Sequence, residues 1–102
     1  MKEKATAALR AGHLLRISGY LDTAILSMWL RTPRASVMIG MSQASVRGAG
    51  PGGGEEELLE KLRALLDEAV EYYADDDFPA AMARMRVAHD MVALRIIQIA
   101  GG

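Results

Sequence analysis

The run Gly48 to Gly54, GAGPGGG, constrains this chain more than any other feature. Glycine and proline at that density support neither helix nor strand, so the run reads as a flexible connector that splits the chain into two halves. Two further breakers subdivide the halves. Pro33 follows Thr32, a pairing that suits a helix start with Thr32 as cap and Pro33 at the first helical position. Pro79, in DDDFPAA, marks a third boundary, and Gly101 and Gly102 close the last segment. The segments between these marks cover roughly 2–31, 33–47, 55–75 and 79–100. Each is rich in Ala, Leu, Met, Glu and Arg, and β-branched runs are scarce, which predicts helix in all four. The expected fold is a single all-α domain over 1–102, an antiparallel four-helix bundle of two helical hairpins.

Periodicity supports the helices and assigns faces. In EEELLEKLRALLDEAVEYY the apolar positions Leu58, Leu62, Leu65, Leu66, Ala69, Val70 and Tyr73 keep the three-and-four spacing of one helical face. Glu55, Glu56 and Glu57 sit at its start, where the helix dipole favours negative charge. In the fourth segment Phe78, Met82, Met85, His89, Val92, Ile96 and Ile99 follow the same spacing, which predicts a core-facing His89. The first segment is apolar almost all round, from Leu9 to Leu30, and such a helix is buried in a core or in an interface with another copy. Gly12, Gly19 and Gly40 each cost roughly 1 kcal/mol against alanine inside a helix, and predict close approach of a backbone or a ligand.

Charge and composition exclude several classes. The chain has no cysteine, which removes disulfides, thiolate metal sites and cysteine nucleophiles, and fits a reducing, cytoplasmic location. Arg10, Arg16, Asp22 and Arg31 interrupt the most apolar stretch, so no membrane span is expected. The N-terminal stretch lacks the unbroken apolar core of a signal peptide. Residues 1–50 carry seven Lys or Arg against two acids, and residues 51–102 carry five against eleven, for a net charge of −1. A basic hairpin facing an acidic one sets pairing preference within the molecule. Nucleic acid is not favoured as a partner, because no aromatic residues interleave the arginines.

The idealised helix EEELLEKLRALLDEAVEYY, the GPGGG connector and the terminal GG resemble de novo designed single-chain four-helix bundles, and the ADDDF turn resembles the loops of designed porphyrin-binding bundles. Two natural families offer weaker resemblances. The stretch YLDTAILSMWLRTPRASVMIG resembles the first helix of the all-helical chorismate mutases, matching at Leu21, Asp22, Leu26, Val37 and Gly40. That family's substrate-gripping positions fall here on Leu15, Thr32, Gln43, Gly54 and Gln98. The spacing from Arg84 to His89 resembles the active motif of HEPN ribonucleases.

The two histidines carry the leading functional expectation. With helices 1 and 4 as antiparallel neighbours of flush ends, His13 and His89 fall at one level of the bundle, each about 16 Å from a helix end. A neutral imidazole in a bundle core is the usual axial ligand of haem iron. The expected cofactor is therefore haem or a related metalloporphyrin, with His89 as metal ligand and His13 opposite it. Met82, Met85 and Met41 would mould around the macrocycle, Gly12 and Gly40 would leave room for it, and Arg10, Arg16 and Arg34 would meet its propionates. The alternative for His89 is a packed, hydrogen-bonded core residue. A different functional class competes with ligand binding: self-association into a homo-oligomer through the over-apolar first helix, as a scaffold without a ligand.

Overall fold

The computed structural model describes residues 2–48 and 54–101, with side chains for 8–48 and 54–101. Four helices account for nearly all of them: α1 (Lys2–Trp29), α2 (Ala35–Gly48), α3 (Glu56–Ala74) and α4 (Phe78–Gly101). The fold is the all-α four-helix bundle that the breaker positions and helix-former composition predict. α1 packs on α2 and α4, and α3 packs on α2 and α4, as adjacent helices around one shared core. Sequential helices are thus neighbours and α4 closes the ring against α1, the arrangement that short antiparallel turns impose. Of the glycine-rich connector, residues 49–53 lie outside the described residues. Gly54, at its end, has φ +83°, a backbone region that favours glycine.

The core is built from one stripe per helix, each stepping by three and four. α1 contributes Leu14, Ile17, Leu21, Ala24 and Met28; α2 contributes Ala35, Ile39, Ser42 and Val46; α3 contributes Leu62, Leu66 and Ala69; α4 contributes Ala81, Met85, Ala88 and Val92. This spacing keeps each stripe on the bundle axis over several turns. Ser42 is the polar member, and its hydroxyl is satisfied by donating to the Met38 carbonyl at 3.0 Å.

The turns depart from expectation in their detail. α1 ends at Trp29 rather than near residue 31. Arg31 takes φ 52°, and the N–H groups of Arg31 and Thr32 donate back to the carbonyls of Met28 and Ser27. That pattern is a Schellman ending with a non-glycine residue in the left-handed position. α2 begins at Ala35, not Pro33, because the first helical bond runs from the Met38 N–H to the Arg34 carbonyl. The expected Thr32 cap is not made: its hydroxyl is buried without a partner. Between α3 and α4 Asp76 takes φ 60°, and the N–H groups of Asp76 and Asp77 return to the Tyr73 and Tyr72 carbonyls. Asp77 then caps α4, its carboxylate accepting from the Ala80 N–H at 3.3 Å.

Candidate functional site

Polar chemistry collects at the seams between helices rather than in the core. At one end of the bundle Glu55, just before α3, reaches between α1 and α4. Its Oε1 accepts from Arg10 Nη2 at 2.7 Å and Arg95 Nη2 at 2.8 Å, and its Oε2 from Arg95 Nε at 2.7 Å. Only 8% of Glu55 is exposed, so burial opposes its charge, yet the Arg95 hydrogen bonds, joined by those of Arg10, hold its carboxyl below the ordinary 4.5. Along α3 and α4, Arg84 bonds Glu68 at 3.1 Å and lies over the Tyr72 ring at 5.0 Å. Between α2 and α3, Gln43 donates to Asp67 at 2.9 Å. Of these ion pairs, Arg10–Glu55 joins the basic half to the acidic one, while Arg95–Glu55 and Arg84–Glu68 lie within the second half.

His89 sits on the α1/α4 seam, not in the core. Its Nε2 lies 2.7 Å from Asp22 Oδ1 and its Nδ1 3.3 Å from Asp90 Oδ1, so both ring nitrogens face carboxylates. The expected core-facing His89 fails for a packing reason. The centre of the α4 stripe runs through Ala81, Met85, Ala88 and Val92, all fully buried, and this line rotates His89 to the α1 flank. Alanines bring helix backbones close, so they hold the centre although larger apolar residues lie beside them.

The remaining expected ligand residues do not share one place with His89. Met82 and Met85 are inside the core, where they pack among aliphatic side chains. His13 is exposed on the α1/α2 flank, and Asp22, the partner of His89, lies nine residues along α1 from it, about 13 Å of helical rise. The shared level expected for the two histidines rested on flush helix ends, a register the Asp22–His89 contact does not follow. Gly12 and Gly40 face open space: a Cβ at either would meet nothing within 4 Å, as at Gly19. Among the described residues, the close approach those glycines predict is therefore absent. Met41 and Arg16 join His13 in lining an open groove between α1 and α2 with a volume of about 330 Å³. Among the described residues no group of three or more His, Asp or Glu converges as a metal site.

The family resemblances fare similarly at the level of geometry. Arg84 points to α3 and His89 to α1, so the two do not meet on one face of α4. Gln98 accepts from Arg95 at 3.3 Å, and Gln43 is engaged with Asp67. No protein-family model, no curated protein and no solved structure matches this chain.

The surplus of apolar residues read on the first helix lies on the outer face of α1. Leu15 is 58% exposed, Leu26 58%, Trp29 56% and Leu30 66%. Trp29 meets the Phe78 ring edge-on at 5.8 Å. The signal was present in the number of apolar residues on α1, which exceeds what one buried stripe can absorb. No helix among the described residues is long and apolar enough to cross a membrane.

Proposed function

We propose that this protein is a self-associating helical module whose α1 outer face pairs with the same face of a second copy. The observation that carries this reading is the exposed stripe Ala8, Gly12, Leu15, Gly19, Thr23, Leu26, Leu30, stepping by four and three on the side of α1 away from the core. No charged residue lies on it. Isolated exposed leucines are ordinary, whereas a continuous apolar stripe opposite a complete core stripe marks an interaction surface.

A second copy fits because the stripe is complementary to itself when reversed. Centred on Gly19, an antiparallel α1 pair sets Leu26 over the partner's Gly12, Leu30 over the partner's Ala8, and Leu15 beside the partner's Thr23. Large side chains then fall on small ones, and the two Gly19 residues let the backbones approach. A two-fold interface requires this kind of self-matching surface. Leu15, Leu26 and Leu30, each more than half exposed, are the apolar groups that such a pair covers. α4 also carries an exposed stripe, Ala83, Val87, Asp90, Leu94 and Ile97, but it has a carboxylate at its centre and no glycines.

Sedimentation of the wild-type chain beside Leu26→Glu and Leu94→Glu tests the reading. The wild type and Leu94→Glu should sediment at twice the 11.0 kDa chain mass and Leu26→Glu as a monomer of unchanged helicity. A monomeric wild type, or a dimer lost in Leu94→Glu and kept in Leu26→Glu, overturns it.

A further inference from the structure

We infer that the groove between α1 and α2 binds a small amphipathic carboxylate, an aromatic acid with a flat apolar body. The groove is lined by His13, Arg16, Ile17 and Tyr20 of α1 and by Met41, Ala44, Ser45 and Gly48 of α2. Its volume of about 330 Å³ lies at the small-molecule end of ligand sites. Two features of the lining point to one ligand chemistry.

The first is unanswered positive charge. Arg10 and Arg95 are taken up by Glu55, and Arg84 by Glu68. Arg16, His13, Tyr20 and Ser45 have no hydrogen-bond or ion-pair partner among the described residues, and no acid lines the groove. A guanidinium presents a planar fork that matches a carboxylate, and a phenol, a hydroxyl and an imidazole beside it supply further donors. The second feature is an apolar wall. Ile17 closes the groove from the core side, and Met41, though on the surface, presents a polarizable thioether to the same space beside Ala44. A ligand with an anionic end and a planar apolar body meets both. A porphyrin belongs to the same class through its propionates, and in this groove the imidazole it would meet is that of His13 rather than His89.

The site flanks the α1 outer stripe without using it, so it stands apart from self-association. The test is a titration of the full chain with 2-naphthoate, followed by amide shifts in NMR, with the uncharged 2-naphthylmethanol as control. Saturable shifts should map to 13–20 and 41–48. Arg16→Gln, at an exposed position that leaves the fold intact, should weaken binding roughly tenfold, equivalent to about 1.4 kcal/mol. Equal binding of the alcohol, shifts that map to the α1/α4 seam or to Leu26 and Leu30 of the outer stripe, an unaffected Arg16→Gln, or no saturation at millimolar ligand each overturn the inference.

Discussion

Glu55 is the residue on which α1 and α4 converge, and its carboxylate answers two guanidiniums at once. With the Arg95 hydrogen bonds as the largest cause, then Arg10 against the opposing cost of burial, its folded-state value is depressed from 4.5. A depressed carboxylate contributes stability that is complete above its unfolded value and drains away as pH falls toward the folded one. Replacing it leaves Arg10 and Arg95 without their acceptor, though both remain partly wetted, so Glu55→Gln should cost about 1–2 kcal/mol near neutral pH. The loss should shrink as pH falls below about 4.5 toward the depressed folded value, where the wild-type carboxyl itself protonates. Urea midpoints of the two proteins across that range check this. Parallel curves, with a constant gap at every pH, would contradict the assignment of the cluster.

At the scale of the helix, alanines decide which face turns inward. Ala81 and Ala88 lie on the axis of the α4 stripe with no exposure, and they hold α4 close to its neighbours. Enlarging that line should therefore hurt more than filling the flank. Ala88→Leu should destabilise the fold by about 1–3 kcal/mol through overpacking, while His89→Leu should change it by less, since it exchanges a seam contact for apolar area. Thermal or urea unfolding separates the two; a larger cost at His89 would return that residue to the core. The same argument explains what was legible in the sequence. The four helices follow from Pro33, the Gly48–Gly54 run, Pro79 and the helix-former composition, because breakers and propensity act locally. The orientation of His89 was not legible, because apolar spacing weights Phe78, Met82 and Ile96 and overlooks alanine. The end of α1 was misread for a related reason: left-handed Arg31 and Asp76 close their helices without the glycine that signals such an ending.

Across the whole molecule, α1 carries more apolar surface than a four-helix ring can bury. One stripe, Leu14 to Met28, fills the core, and a second, from Ala8 to Leu30, faces outward. The apolar count was legible from the sequence, and the choice between burial and exposure was not, since it depends on which face α2 and α4 take. The groove beside that stripe was half legible: His13, Arg16 and Met41 were expected around a ligand, and Tyr20 shares the α1 face of His13, but Met41 and Ser45 of α2 meet that face only through the α1/α2 register. The central claim is that the outward stripe meets itself, antiparallel, about Gly19. Because the chain has no cysteine, a single introduced thiol reports directly on that register. Gly19→Cys should form a covalent dimer of twice 11.0 kDa under mild oxidation, far faster than Ser36→Cys on exposed α2. Gly19→Cys that remains monomeric, or that cross-links no faster than Ser36→Cys, would contradict it.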